Sequence, residues 1–308
     1  MYRNGYSKKK LLDGRKIRDE ILEELKGKVN PETRLSVVIV GDRKDSEMYV
    51  KMKVKTCEDL GMESEILRLG ADISQAELIQ EIRYLNRNTD GILIQLPLPD
   101  HIDSYAVMDA IDPSKDVDGL HPYNLGKVAL LGEKAPFVPC TPKGCLELLD
   151  RYDIPVEGKH CVVIGSSNVV GKPLALLLLA RHATVTVCHK KTVNTKSHAR
   201  LADILFVATG KAHLINKDWV KPGAVIIDIG TSIVLSKQGK RRVVGDVDTE
   251  DVMNVVSAIS PVPGGVGPMT IAMLMKNTVE HTVVSERWED KCTCPPGERQ
   301  WCICYSGR

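Results

Sequence analysis

The sequence predicts an α/β protein of two domains, each built on a parallel sheet, and three observations lead there. At 308 residues the chain has room for two cores at the usual ~100–200 residues per domain. Its 43% hydrophobic and 27% charged residues are those of a globular protein, which excludes disorder as the main state. Short β-branched apolar runs alternate with amphipathic stretches along most of the chain, the pattern of a parallel sheet with helices on both faces.

The elements follow in order. Ile17, Ile21, Leu22, Leu25 and Val29 recur at helical spacing, and residues 35–40 (LSVVIV) read as a buried strand. Residues 46–60 form a helix stopped by Gly61, 63–69 a strand, 74–88 an amphipathic helix with Ser74 and Glu77 as a capping box, and 91–98 (GILIQLPL) a further strand. The proline-rich passage 137–142 leads into a helix at 143–152. After a turn at 154–159 a second series begins, with strands at 160–165, 184–189, 204–209 and 224–230, then the loop 261–268 (PVPGGVGP) and a final helix. The chain therefore divides into a first domain at 1–150, a smaller second domain at 151–268, a helix at 269–284 that packs back on the first domain, and a tail at 285–308.

A formal net charge of +2 gives no strong field, so neither nucleic acid nor membrane is an expected partner and a small molecule is. No apolar run approaches the ~20 residues of a bilayer span. Cys57, Cys140, Cys145, Cys161 and Cys188 fall in predicted elements or motif loops as reduced thiols, which points to the cytoplasm. An organellar location would rest on the basic start MYRNGYSKKK alone. Cys292, Cys294, Cys302 and Cys304 crowd the tail as C-x-C pairs, whereas structural zinc sites use wider spacing, so no metal is assigned.

Strand 160–165 runs into Gly165, Ser166, Ser167, Val169, Gly171 and Pro173 and then an Ala/Leu-rich helix. That order suits a pyrophosphate, because glycines let the backbone approach and the helix N-terminus favours the anion. Ser167 stands where a second glycine would be, so spacing alone leaves an ordinary βα turn open. At the end of the next strand, where an NAD enzyme presents Asp or Glu, the chain has His189, Lys190 and Lys191, which favours the 2′-phosphate of NADP over NAD, a solvated turn being the alternative. In the first domain Ser46, Tyr49 and Lys53 share one helix face, and a lysine beside a phenol becomes a general acid/base if its pKa is lowered. An isolated pair of this kind is more often a surface contact. Gln95 ends a predicted strand, where open sheets bind ligands, and Asp116 and Asp118 are loop caps or acceptors for a donor-rich heterocycle.

Together the motifs YVxxK (49–53), QLPLP (95–99), KDVDG (115–119), GSSxxxGxP (165–173) and PGGVGPMT (263–270) closely resemble the bifunctional methylenetetrahydrofolate dehydrogenase/methenyltetrahydrofolate cyclohydrolase family, over roughly residues 11–282. The resemblance implies a Rossmann-like second domain, tetrahydrofolate derivatives as substrates, NADP as cofactor, a cleft between the domains as the site, and a homodimer joined through the cofactor domains. It assigns Lys53 as the acid/base of hydrolysis, Gln95 as its hydrogen-bond partner, Tyr49 as orienting the folate and Asp118 as accepting from the pterin. Ser46, Val50, Ile94, Leu96, Pro263, Gly264, Gly265, Val266 and Gly267 are implied on the substrate side, and Thr141, the glycine turn, His189, Lys190 and Thr231 on the cofactor side. Ser166 stands where many members have Arg, and Thr231 where Ile is usual. A dehydrogenase without hydrolase activity and a shikimate-dehydrogenase-like oxidoreductase are the alternatives.

Overall fold

The computed structural model describes residues 11–235, 239 and 241–289, apart from the side chains of 44–46, 48 and 281–289. Helix α1 (Gly14–Lys26) starts where Asp13 accepts from the N–H groups of Arg15 and Lys16, and it buries Ile17, Ile21 and Leu25. Strand β1 (Arg34–Val40), helix α2 (Lys44–Asp59), β2 (Glu63–Leu69), α3 (Gln75–Asn88) and β3 (Gly91–Ile94) follow. The Ser74–Glu77 capping box is present in both directions. Strand β3 stops four residues earlier than the sequence suggests, since Pro97 and Pro99 have no N–H for a ladder. The three strands form a parallel sheet in the order β2-β1-β3.

Two short helices not anticipated from the sequence, α4 (Ser104–Asp109) and α5 (Pro122–Leu131), cross to α6 (Cys140–Arg151). Helix α6 begins inside the proline-rich passage, because Pro139 is its N-cap and Pro142 lies in a first turn whose N–H groups have no helical partner. The second sheet has five parallel strands in the order β10-β7-β6-β4-β5. Chain order gives β4 (His160–Ile164), α7 (Gly171–Ala180), β5 (Thr184–Cys188), α8 (Thr195–Ala199), β6 (Ile204–Val207) and β7 (Val225–Asp228). An antiparallel hairpin, β8 (Ser232–Leu235) with β9 (Arg241–Val244), then precedes α9 (Thr249–Val252), β10 (Ala258–Ile259) and α10 (Val266–Glu289). The hairpin, α8 and α9 lack the apolar periodicity that marks the other elements, and the second domain, shorter in sequence, carries the wider sheet.

In each sheet the chain reverses direction beside the central strand, β1 against β3 and β4 against β6, and ligands bind open sheets outside the carboxyl ends at such points. Helix α10 packs on α6 and α1. One buried cluster accordingly runs from Leu35, Val37 and Ile39 of β1 through Leu146, Leu149, Met273 and Leu274 to Val163 and Phe206 of the second sheet. The two switch points are thus held by a shared core.

Asn277 of α10 locks this junction. It is 3% exposed, its Nδ2 donates to the carbonyls of Val117 (2.9 Å) and Val138 (3.1 Å), and its Oδ1 accepts from Lys143 Nζ (2.7 Å). Asn277→Ala leaves buried groups unsatisfied and is expected to cost about 2–4 kcal/mol in urea unfolding; a change within experimental error would remove Asn277 from this role.

Candidate active site

Helix α2 buries Val50, Lys53, Cys57 and Leu60 along one stripe, so the amine of Lys53 is carried inward, and the residue is only 9% exposed. Its Nζ donates to Gln95 Oε1 at 3.1 Å. Gln95 Nε2 donates to the carbonyl of Leu96 at 2.9 Å, which fixes the amide with its oxygen toward the lysine. Burial holds the Lys53 amine below the ordinary lysine range, while the charge of Asp118 draws it the other way.

Lys53, Gln95 and Asp118 line a cavity of about 170 Å³ at the switch point of the first sheet. Ile94, Leu96 and Leu120 wall it from the first domain, Cys140 and Thr141 from the start of α6, Thr270 from α10, and Val169 from the glycine turn of the second domain. Burial pushes the Cys140 thiol well above its ordinary range, and its Sγ donates to the carbonyl of Val117 at 3.3 Å. Thr141, assigned from the resemblance to the cofactor, hydrogen-bonds Thr270 across 3.0 Å within this wall beside the lysine. Sequence reasoning passed over Leu120, Cys140 and Thr270 as wall residues; their adjacency to the KDVDG loop, to Thr141 and to the PGGVGPMT motif was the available signal.

The loop carrying Asp118 is braced by Asp116. This carboxylate is 1% exposed and accepts from the N–H groups of Leu120 (3.0 Å) and His121 (2.8 Å) and from Asn124 Nδ2 (2.8 Å). Burial pushes it up to about 7 against those donors. Asp116 is therefore a loop brace, and the half-buried Asp118 is the carboxylate that meets the cavity.

Other expected site residues are placed unevenly. Tyr49 is half-buried one turn before Lys53, and the side chain of Ser46 lies outside the described residues. The side chain of Val50 is fully buried in the core, where it seats α2. The 263–267 loop is packed closely on the rest of the chain. Gly264 has φ +116° and accepts from the N–H of Gly14 at 2.9 Å, Gly265 packs on Ser260 and Pro261, and Val266 already belongs to α10 and the core. These glycines serve close packing of the chain on itself, and Gly267 alone has open space where a side chain would stand.

At the second sheet's switch point, Gly165 has φ +128°, and a side chain there would meet the carbonyl of Ala208 in the loop after β6. A side chain at Gly171 would run into the carbonyl of Gly165. The turn thus closes tightly onto the start of α7, whose N-cap Val170 supplies no side-chain acceptor, and Pro173 is buried in its first turn. Ser167 Oγ accepts from the N–H of Val170 at 3.1 Å, and Ser166 is half-buried beside it. This is a cradle whose backbone and helix dipole suit a diphosphate. At the end of β5, His189 Nδ1 accepts from the N–H of Lys191 at 3.2 Å, leaving Lys190 exposed, while Thr231 is exposed ahead of β8. The cysteine pairs of the tail lie outside the described residues. A larger hollow of about 310 Å³ opens at the other end of the second sheet, where its carboxylate, Asp203, is committed to Lys221 (2.6 Å) and the N–H of His160 (2.9 Å).

Two α/β domains whose switch points share one cleft, with a buried amine on one side and a dinucleotide-type turn on the other, define a cofactor-dependent enzyme of small-molecule substrates. Two family profiles match: the tetrahydrofolate dehydrogenase/cyclohydrolase catalytic domain over residues 12–118, and the NAD(P)-binding domain of the same enzymes over 139–286. The chain belongs to the tetrahydrofolate dehydrogenase/cyclohydrolase family. It is 50% identical over 280 residues to the bifunctional protein FolD of Moorella thermoacetica, covering 88% of this chain and 97% of that one. Among solved structures, the bifunctional FolD of Campylobacter jejuni is 47% identical with a TM-score of 0.84, covering 89% of this chain and 99% of that one. The Trypanosoma brucei methylenetetrahydrofolate dehydrogenase-cyclohydrolase, complexed with NADP and an inhibitor, is 37% identical with a TM-score of 0.86, covering 90% and 98%. The shikimate-dehydrogenase-like alternative is set aside by this membership.

The lowered affinity of Lys53 for its proton is a statement about stability. Between the folded pKa and the unfolded value of ~10.4 the unfolded chain binds more protons at this site, so this residue's contribution to stability rises with pH across that window. Lys53→Met is expected to be at least as stable as the parent in urea at neutral pH and to lose that part of the rise; marked destabilisation would contradict the burial argument.

Proposed function

We propose that this protein oxidises 5,10-methylenetetrahydrofolate with NADP and hydrolyses the resulting methenyl cation to 10-formyltetrahydrofolate. The observation that carries this reading is the buried Lys53 amine on Gln95 at 3.1 Å, set in a cleft that also contains Val169 of the glycine turn. When bound, the nicotinamide accepts the hydride that leaves the one-carbon bridge. The backbone at Gly165 and Gly171, with Ser166, Ser167 and the start of α7, would hold the diphosphate, and His189 and Lys190 would receive the 2′-phosphate. Thr231 would stand on the cofactor side, and Thr141, hydrogen-bonded to Thr270 in the cavity wall, would lie between cofactor and substrate.

Hydrolysis falls to the first domain. A cationic substrate disfavours a second positive charge, so burial and the methenyl cation act in the same direction to keep the Lys53 amine neutral. Water adds its oxygen to the bridging carbon. One of its protons ends on N5 as the carbon–N5 bond breaks, carried there by Lys53, and the other leaves to solvent. Gln95 holds the amine in place, Asp118 accepts from the pterin, and Tyr49 packs along the folate from the same helix face. Pro263 and Gly267 border the substrate from the domain junction. The domain limits implied are 1–150 and 151–268, with α10 closing on the first. The edge strand β5, with Val187 exposed, and the exposed Leu179 of α7 support a homodimer through the second domain. Among the described residues no helix is long and apolar enough to cross a membrane; the buried free thiols support a cytoplasmic site of action.

The test mixes purified protein with methylenetetrahydrofolate and either NADP or NAD, and follows reduced nicotinamide and then loss of the methenyl chromophore. Faster reduction of NADP, followed by chromophore loss above the buffer rate, is expected; no reduction with either nucleotide sinks the reading. Lys53→Met is expected to lower hydrolysis by ~10²-fold or more, the scale of general acid–base catalysis. Lys190→Ala is expected to raise KM for NADP about tenfold, the loss of a charged hydrogen bond, and to leave KM for NAD unchanged.

A further inference from the structure

Two carboxylates outside the cleft are almost completely buried. Asp228 ends β7 at 1% exposure, and Asp246 follows β9 at 0%. Asp246 Oδ2 accepts from the hydroxyl of Thr209 (2.8 Å) and from the N–H groups of Thr209 (2.5 Å) and Gly210 (2.9 Å), which form the loop leaving β6. Its Oδ1 is buried with no partner. A side chain at Gly230 would fall on the Asp246 carboxylate, so the backbone just before Thr231 lies directly against it. Asp228 in turn accepts from the N–H groups of Asp246 (3.1 Å) and Val247 (3.0 Å), and its own N–H donates to Ser260 Oγ (2.8 Å).

The loop that Asp246 holds is the one the glycine turn leans on. Ala208 donates its N–H to Ile164 at 2.8 Å, and its carbonyl is the atom that excludes a side chain from Gly165. One carboxylate is therefore bonded to the loop at 209–210, next to the glycine turn, and packed against Gly230 after the neighbouring strand β7. Three donors converging on one oxygen of a buried carboxyl group make a stiff attachment.

We infer that Asp246 is a positioning residue for the dinucleotide, setting the loops after β6 and β7 on the side of the switch point that faces the glycine turn, without touching the folate side of the cleft. This rests on the reading of the second domain as the NADP site. The full-length Asp246→Asn protein keeps the shape but replaces one acceptor oxygen by an amide nitrogen that can only donate, either toward the three donors at 209–210 or into the unpartnered Oδ1 position. Its affinity for NADP, measured by calorimetric titration without substrate, is expected to fall about tenfold, the scale of a charged hydrogen bond. Hydrolysis of methenyltetrahydrofolate without nucleotide is expected to stay within about twofold, because that step needs no hydride acceptor and its groups lie in the first domain. Thr209→Val removes one donor with less risk to folding and is expected to weaken NADP binding in the same direction, with Thr209→Ser restoring it. If Asp246→Asn does not fold, the Thr209 pair decides. Unchanged NADP affinity in these variants, or an equal loss of hydrolysis, overturns the inference. A parent protein that binds no NADP overturns the cofactor reading instead, so the two failures are distinguishable.

Discussion

The structure turns on a single unfavourable act, the burial of a lysine amine. A charged ammonium in an apolar wall is costly, and the protein meets that cost by lowering the affinity of Lys53 for its proton and by giving Nζ one fixed acceptor, Gln95. Much else follows from keeping this pair in register. Helix α2 must be seated by Val50 and Cys57, strand β3 must end at Ile94 so that Gln95 turns toward the helix, and the loop with Asp118 must be braced by Asp116.

The second requirement is that the cofactor turn reach this amine from another domain. It does so because α6 and α10 merge the two cores, and because the chain passes itself at very short range at a few points. Gly14 against Gly265, and Gly165 against Ala208, are contacts that no side chain would allow. The glycine-rich segment 263–267, which reads like a ligand loop, is largely such a packing device, and it sets where α10 begins.

Much of this was legible in the sequence. The alternating pattern gave the two parallel sheets, and the Ser74–Glu77 box marked a helix start to the residue. Lys53, Gln95 and Asp118 were all marked as site residues, and they meet in one cavity. What could not be read arises from long-range contacts. Val50 and Lys53 are neighbours on one helix, and only the tertiary core decides that one fills it and the other enters the cleft. The early end of β3 was foreshadowed by Pro97 and Pro99, which outweigh the apolar character of Leu96 and Leu98. The hairpin β8–β9 and the Asp228–Asp246 pair carry no periodic signal, since their role depends on backbone donors from loops distant in sequence.

The central claim is that Lys53 is held neutral in the resting enzyme more readily than an ordinary lysine. Nuclear magnetic resonance titration of the lysine side chains, with Lys53 identified by comparison with Lys53→Met, measures this directly. The Lys53 resonance is expected to titrate at a lower pH than those of the exposed lysines, and the pH profile of methenyltetrahydrofolate hydrolysis is expected to share that lower midpoint. A Lys53 midpoint at or above that of the exposed lysines would contradict it.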